Sequence, residues 1–193
     1  MALTSSTMLP LGSPAAAFSL PDTVTGRTLS LDQLKSDKAT VVMFICNHCP
    51  YVKHVQRELV RLGRDYRSKG VAFIAISSND ADGYPEDAPA RMAAVAREFD
   101  YPFPYLYDES QAVAKAYKAA CTPDFFVFDG HLQLAYRGQL DDSRPGNGKP
   151  VTGRDLRAAL DALLAGRPVG SIQVPSMGCN IKWRAPGGTG SRH

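Results

Sequence analysis

The chain has 193 residues, 44% hydrophobic and 21% charged, a composition typical of one globular domain with a full core. A formal net charge of +3 without a basic stripe argues against nucleic acid as a partner. Four cysteines are too few for a disulfide scaffold, and no apolar run reaches the roughly 18–20 residues of a membrane span, so both of those classes are disfavoured.

The first residues lack the features of an export signal. The sequence MALTSSTMLPLGSPAAAF has neither a positively charged start nor a long apolar segment. We therefore expect a cytoplasmic protein with no membrane partner, in which a close cysteine pair is catalytic or metal-binding rather than structural. Residues 1–15, rich in Ser, Thr, Pro and Ala, are expected to form a loose arm before a domain at 16–184 and a flexible tail at 185–193.

The domain is predicted to begin with a β-hairpin. Short strand patterns at 18–22 and 26–30 flank a turn. Ser30 and Gln33, three residues apart, resemble a capping box and predict a short helix over 31–35.

A buried strand and a long helix come next. The run 40–46 is apolar and β-branched without alternation, which predicts a strand covered on both faces. From Pro50 to Lys69 apolar residues recur every three or four positions, as on one face of a helix, and Pro50 suits the first turn. The other predicted elements are strands at 71–77, 105–107, 124–129 and 132–138, and helices at 89–99, at 110–118 and from Thr152 to Gly166. Strands that alternate with helices predict an α/β fold, with a central mixed sheet and helices on both faces.

Two thiols at the junction of that strand and helix form the clearest chemical motif, Cys46-Asn47-His48-Cys49-Pro50. Thiol–disulfide exchange needs an attacking thiolate, a second thiol that resolves the mixed disulfide, and access for the partner. The start of a helix stabilises a thiolate and lowers the pKa of a cysteine. We therefore predict a catalytic pair, with Cys46 as the exposed nucleophile and Cys49 as the resolving thiol.

Two other interpretations of this pair stay open. A structural zinc site would need four suitably spaced ligands, but Cys46, His48 and Cys49 crowd one turn, without a second C-x-x-C or C-x-x-H. The pair could also be two core cysteines, although Pro50 and His48 are poor core neighbours. We predict no metal and no cofactor.

The order of strand, C-x-x-C, long helix and a later Thr-Pro before a strand resembles the thioredoxin fold. The segments FICNHCPYVKH, SSNDAD, CTPDFFVFD, YRGQLDD and GCNIKWR resemble those of peroxiredoxin-like (AhpC/TSA, redoxin) proteins that carry a thioredoxin-type C-x-x-C. The resemblance extends from about Phe18 to Trp183. It implies a thioredoxin-like fold of the peroxiredoxin and AhpC/TSA branch, with thiol redox chemistry at the cysteine pair.

The resemblance also implies a substrate-binding face. Pro123 matches the position of a cis-proline packed beside the C-x-x-C, and Thr122 would present its backbone to an extended substrate segment. Asn47 and Pro50 complete the predicted substrate-binding set. The partners implied are protein or low-molecular-weight disulfides and thiols, with an electron donor that the sequence does not identify.

His48 is expected to tune the reduction potential. By hydrogen bonding, or by attraction once protonated, it would stabilise the thiolate of Cys46 and therefore the reduced form. This predicts a potential above thioredoxin's roughly −270 mV and no higher than the about −120 mV of the strongest oxidants.

Two departures from the family patterns bear on the mechanism. Thr40 stands where thioredoxins have a buried aspartate, so the usual proton acceptor for the resolving thiol is missing. Aligned on the peroxiredoxin motif, Cys49 matches the peroxidatic cysteine, but Cys46 replaces its threonine and Pro123 stands where an arginine is expected. Without those donors peroxide is poorly oriented, and efficient peroxidase activity is not expected.

Cys121 and Cys179 are candidates for additional redox thiols. Cys121 lies two residues before Pro123 and could approach the pair, or it could be a small buried hydrophobe. Cys179, in a Gly-rich tail, would be a resolving thiol in the peroxiredoxin manner, or otherwise a buried or idle thiol.

The function predicted is that of a cytoplasmic thiol–disulfide oxidoreductase that cycles Cys46 and Cys49 between dithiol and disulfide. One alternative is a peroxiredoxin-like thiol peroxidase that uses Cys49. The other, from a different class, is a redox-sensing or metal-binding module without turnover.

Overall fold

The computed structural model describes residues 3–185, in which strands alternate with helices. The strands are β1 (Leu3–Ser5), β2 (Ser19–Pro21), β3 (Thr28–Ser30), β4 (Ala39–Phe44), β5 (Val71–Ser77), β6 (Tyr105–Tyr107), β7 (Cys121–Thr122), β8 (Asp124–Asp129), β9 (Leu134–Gly138) and β10 (Met177–Asn180). The helices are α1 (Leu31–Leu34), α2 (Pro50–Arg67), α3 (Pro89–Glu98), α4 (Ala112–Ala116) and α5 (Arg154–Leu164), with a 3₁₀ turn at Pro85–Asp87.

Five strands form a central mixed sheet in the order β6-β5-β4-β8-β9. β4 pairs in parallel with β5 and antiparallel with β8, so the strand that leads to the cysteine pair is interior to the sheet. All six residues of β4 are buried, which is the behaviour predicted from its unbroken apolar pattern.

Helices cover both faces of this sheet, as predicted. Val41 and Met43 pack on one face with residues of α2, α3 and α5, whereas Val42 and Phe44 pack on the other with residues of α1 and α4. The β2–β3 hairpin and the capping box at Ser30 are also present. The predicted α/β architecture is therefore confirmed.

Helix α2 positions the cysteine pair. Val52 and Leu59 are buried against the sheet, and the opposite side of the helix carries most of its charged residues, Glu58 being buried. Pro50 occupies the first helical position, where its missing N–H costs nothing. The helix ends at Arg67, slightly before the predicted end, and Gly70 turns the chain towards β5 with a φ of 85°.

The predicted loose arm at 1–15 is instead built into the fold from residue 3 onward. β1 pairs antiparallel with β10, and the Ser6 hydroxyl donates a hydrogen bond to the buried carboxylate of Asp124. The prediction was wrong because a three-residue strand is too short to show any periodicity.

The predicted extent of the domain, 16–184, stays a prediction, as does the flexible tail at 185–193. Residues 186–193 lie outside the described residues. Between residues 3 and 185, none of the helices combines the length and the apolar character needed to cross a membrane.

Two helices differ from the predictions at their ends. α4 is shorter than the predicted 110–118, because Gln111 and Lys118 adopt left-handed backbone with φ of 62° and 51°. α5 begins only after Gly153, whose φ is 67° and whose amide donates to the Asp141 carboxylate at 2.7 Å.

Candidate active site

The cysteine pair lies where β4 ends and α2 begins. Cys46 is in the connecting loop, and Cys49 is the N-cap residue of α2. Cys49 makes no side-chain capping hydrogen bond, but the Val52 amide, in the first turn, contributes to lowering the pKa of Cys49. Because N–H groups at a helix start lack helical partners and the helix dipole is positive there, this position favours a thiolate.

Both thiols are buried. The exposed fraction is 2% for Cys46 and 0% for Cys49. The expectation that Cys46 is exposed was therefore wrong, because residues distant in sequence, among them Thr122 and Cys179, pack over the two sulfur atoms.

Thr122, on β7, contacts both cysteines of the pair. Its hydroxyl oxygen lies 3.4 Å from the Cys46 sulfur, and its carbonyl oxygen lies 3.2 Å from the Cys49 sulfur. The peptide bond between Thr122 and Pro123 is cis, as the resemblance implies. The structure thus brings Cys46, Cys49, Thr122 and Pro123 to one place, although 73 positions separate Cys49 from Thr122.

The two thiols of the pair differ in how readily they lose a proton. A hydrogen bond from the Cys46 thiol outweighs burial and lowers the pKa of Cys49, and bonds from Cys179 and the Val52 amide act in the same direction. The same bond, burial and the nearby Asp87 carboxylate raise the pKa of Cys46. When the pair holds a single proton, Cys46 keeps it and Cys49 is the thiolate. In the dithiol form the Cys49 thiol donates to the Thr122 carbonyl.

The loop between the cysteines is held by Asp87, from the 3₁₀ turn. One carboxylate oxygen accepts the backbone amides of Asn47, at 2.7 Å, and His48, at 3.2 Å. The other is 2.5 Å from Nδ1 of His48 and accepts the side-chain amide of Asn79 at 2.8 Å. His48 was expected to hydrogen-bond or attract the Cys46 thiolate. Its hydrogen bond is to Asp87 instead, with a ring nitrogen within 4.8 Å of the Cys46 sulfur.

Asn47 and Pro50 were predicted to contact substrate; Asn47 lies between the two cysteines and Pro50 directly follows Cys49. The Asn47 side-chain amide donates to the backbone of Glu86 at 2.8 Å and accepts from the Tyr105 hydroxyl at 3.2 Å, so it is already used within the fold. Pro50 is exposed at the start of α2. Their role towards a substrate stays a prediction.

One group of side chains has donors suited to a metal ion. A sulfur of Cys46, a ring nitrogen of His48 and a carboxylate oxygen of Asp87 all lie within 4.8 Å of one another. Both oxygens of Asp87 already accept hydrogen bonds, and buried carboxylates satisfied in this way are poor ligands without rearrangement. The donor set therefore fits a metal ion poorly as it is arranged.

Strand β10 covers the edge at which a substrate segment was expected. Cys179 pairs directly with Thr122 in an antiparallel ladder, and its side chain hydrogen-bonds to Cys49. Burial and this bond raise the pKa of Cys179 to about 12. The backbone of Thr122 is thus paired with a segment of its own chain, and Cys179 is a third thiol of the site rather than part of a loose tail.

Cys121 is buried on β7, next to the pair but bonded elsewhere. Its thiol lies 3.6 Å from the carbonyl of Pro123 and 3.9 Å from that of Ser176. Burial, with smaller contributions from Asp124 and the other thiols, raises the pKa of Cys121. The thiol therefore stays protonated in this position, and its proposed redox role stays a prediction.

Asp87 is the residue of the site that the sequence analysis missed. It lies 39 positions after His48 in an acidic segment with no motif spacing to the cysteines. Only the packing of the 3₁₀ turn against the loop brings it there, so no sequence pattern of the chain predicts the contact.

A family model described as the AhpC/TSA family matches residues 11–137. A search of the curated proteins found no match to this chain.

Solved structures give a closer comparison. The chain is similar to an uncharacterized conserved protein from Geobacillus kaustophilus, with 64% identity and a TM-score of 0.94 over 95% of this chain and 97% of that one. It is similar to a hypothetical protein from Sinorhizobium meliloti, with 52% identity and a TM-score of 0.92 over 94% and 99% of the two chains. The peroxidoxin BcpB from Mycobacterium tuberculosis shares the fold, with 21% identity and a TM-score of 0.61 over 81% and 97%. The predicted thioredoxin-like fold is therefore confirmed.

Proposed function

Because the chain belongs to the AhpC/TSA family, we propose that it is a thiol–disulfide oxidoreductase that cycles Cys46 and Cys49 between dithiol and disulfide. The family and its thioredoxin-like neighbours support redox thiol chemistry in general. The observation that carries the specific proposal is that both sulfur atoms meet at one residue beside the start of α2, since the Thr122 hydroxyl lies 3.4 Å from the Cys46 sulfur and the Thr122 carbonyl oxygen 3.2 Å from the Cys49 sulfur.

In this cycle Cys49 is the attacking thiolate. Its sulfur attacks a substrate disulfide, so that a bond forms between Cys49 and one substrate sulfur and the other substrate sulfur leaves as a thiolate. Cys46 then attacks the Cys49 sulfur, the Cys46–Cys49 disulfide forms, and the second substrate sulfur leaves with the electron pair. The protein loses two electrons and the substrate gains them as two thiols. This order reverses the roles predicted from sequence, because Cys49 rather than Cys46 has the lowered pKa.

The substrates proposed are protein or low-molecular-weight disulfides, in a reducing cytoplasm, with an electron donor yet to be identified. Because both sulfur atoms are buried, a substrate reaches them only after the covering residues move, among them Thr122 and Cys179. Glutathione disulfide is small enough to serve as a first probe.

A glutathione redox titration tests the proposal. The protein is equilibrated at a series of glutathione ratios, and the state of all four cysteines is read by differential alkylation and peptide mass spectrometry. We expect a reversible disulfide between Cys46 and Cys49, with a midpoint above roughly −270 mV. The C46S and C49S variants are the matched controls and must not form this bond.

The same experiment separates the alternatives. A bond from Cys49 to Cys179, together with consumption of hydrogen peroxide, would favour a thiol peroxidase. The contact between those two sulfurs and the lowered pKa of Cys49 are the observations that favour it. A pair that never oxidises but binds zinc stoichiometrically would contradict the redox proposal and favour a metal-binding module.

A further inference from the structure

The thiol of Cys46 needs a proton acceptor when it attacks. Its pKa is raised by the bond to Cys49, by burial and by Asp87, so it enters the reaction protonated. Thr40, which replaces the aspartate of thioredoxins, is fully buried and its hydroxyl accepts the amide of Ser36 at 3.0 Å. A threonine hydroxyl cannot take up a proton near neutral pH.

The imidazole of His48 is placed to take this role. Its Nδ1 lies 2.5 Å from the carboxylate of Asp87, which sets the tautomer so that Nδ1 donates and Nε2 keeps its lone pair. Nε2 is buried and, within residues 3–185, makes no hydrogen bond. A ring nitrogen of His48 lies within 4.8 Å of the Cys46 sulfur, so proton transfer between them requires a side-chain movement or one bridging water.

Asp87 is built to hold this imidazole. Burial opposes its ionisation, but hydrogen bonds from His48, Asn79 and the Asn47 amide outweigh burial and lower the pKa of Asp87. The carboxylate therefore stays charged, which makes it a poor base and a good partner for an imidazolium ion. On the other side, the ring of Tyr84 stacks on His48 with 5.0 Å between centroids, which fixes the plane of the imidazole.

We propose that His48 is the proton acceptor for Cys46 and that Asp87 is its positioning residue, so that the pair replaces the aspartate missing at Thr40. This inference rests on the proposed function. As the Cys46 sulfur attacks Cys49 of the mixed disulfide, its proton passes to the imidazole and the Cys46–Cys49 bond forms. The bond from Cys49 to the substrate sulfur breaks, and the leaving thiolate takes the electron pair. The imidazolium then gives its proton to that thiolate or to water, and Asp87 stays ionised throughout.

Several charged or titratable groups lie around the imidazole. They are Asp87 and Glu86 from the 3₁₀ turn, Tyr84 with Lys182 over its ring at 5.6 Å, Lys53 from α2, Tyr105 through Asn47, and the thiol of Cys46.

A single-turnover reaction with dithiobis-nitrobenzoate separates the two steps. Attack by Cys49 releases a first coloured thiolate, and resolution by Cys46 releases a second, so stopped-flow absorbance resolves two phases. We expect H48Q to leave the first phase within about twofold and to slow the second roughly 100-fold, the size of a general-base contribution. We expect D87N to slow the second phase about tenfold or more, because it removes the charge that supports the imidazolium.

Two features of these variants separate proton transfer from loop anchoring. H48Q keeps both backbone amides bonded to Asp87, and D87N keeps an oxygen for them, so the two variants perturb the loop in different ways. H54Q is the matched control, since His54 lies on α2, the helix that follows the pair, and its ring hydrogen-bonds to Ser143 at 2.8 Å rather than to Asp87. The second phase of wild type should proceed below the pH at which Cys46 ionises unaided. In H48Q it should rise only at the higher pH where Cys46 ionises unaided.

The outcomes separate the role of His48 and Asp87 from the redox cycle itself. If wild type releases both thiolates and H48Q and D87N match it in both phases and in pH profile, the role of His48 and Asp87 is overturned while the redox cycle stands. If wild type releases no second thiolate and mass spectrometry finds no Cys46–Cys49 disulfide, the cycle fails, and this role with it. If H54Q slows the second phase as much as H48Q, the effect is structural and the proposal is overturned.

Discussion

At the scale of single residues, the chemistry depends on which of the two buried thiols holds the proton. Four groups of the fold lower the pKa of Cys49, and the largest contribution comes from the Cys46 thiol itself. Removing that donor in C46A should raise the pKa of Cys49 and slow its alkylation by iodoacetamide at about pH 6, roughly tenfold for each pKa unit. Alkylation quenched at a series of times, followed by peptide mass spectrometry, measures the rate at Cys49 directly.

The C46S variant is the control for this prediction, since its hydroxyl can still donate to the Cys49 sulfur. Its alkylation rate should lie between those of wild type and C46A. Preferential alkylation of Cys46 in the wild-type protein at acid pH would contradict the assignment of the thiolate to Cys49.

The sequence predicted the residues of this site that are close together in the chain. Cys46, His48 and Cys49 form one local motif, and the motif alone indicates redox chemistry. Asp87 and the cover provided by Cys179 could not be predicted, because they depend on contacts between segments 39 or more positions apart. The order of the two pKa values depends mainly on the local bond between Cys46 and Cys49, and the distant groups Asp87 and Cys179 add to it; on this order rest the roles that we propose for the two cysteines.

At the scale of elements, strand β10 decides how accessible the thiols are. Gly178 approaches β7 so closely that a Cβ there would lie 2.0 Å from the carbonyl oxygen of Thr122. G178A should therefore push β10 away, lower the free energy of unfolding by about 1–3 kcal/mol and speed the alkylation of Cys49. Urea titration and timed alkylation measure the two effects.

Gly170 supplies the matched control. A Cβ at this position would meet nothing within 4 Å, so G170A should change stability by no more than about 0.5 kcal/mol and leave the alkylation rate as it is. If G178A behaved like G170A in both measurements, β10 would not be the element that covers the thiols.

The long elements were predictable and the short ones were not. β4 and α2 carry unbroken apolar or helical patterns over six and eighteen residues, and both were found where expected. β1 and β10 have three and four residues, and pairing with one another and with β7 is what makes them strands. These strands form because they pair with distant segments, so the local sequence does not predict them.

At the scale of the whole molecule, the central five-stranded sheet has to be joined to the three-stranded sheet β1-β10-β7. The central sheet is packed by helices on both faces, a plan that alternating strands and helices were sufficient to predict. The small sheet β1-β10-β7 carries the cover of the active site. Asp124, the first residue of β8, is where the two meet, because its buried carboxylate accepts hydrogen bonds from Ser6 and from the amide of Ala120 at 3.2 Å.

The stability of this junction should depend on pH. Burial raises the pKa of Asp124 from its ordinary 3.8 to about 6, although the bonds from Ser6 and nearby amides oppose the shift. Between about pH 4 and pH 6 the unfolded chain therefore binds fewer protons at this residue than the folded one, and the free energy of unfolding falls as the pH rises through that window. Two pKa units correspond to about 3 kcal/mol, so wild type should lose up to about that amount relative to D124N between pH 4 and pH 7. Urea unfolding of both proteins across this range isolates the contribution of Asp124 from that of the other titrating groups. A constant difference between them would show that the carboxylate is already ionised in the folded state at pH 4, and that its hydrogen bonds outweigh its burial.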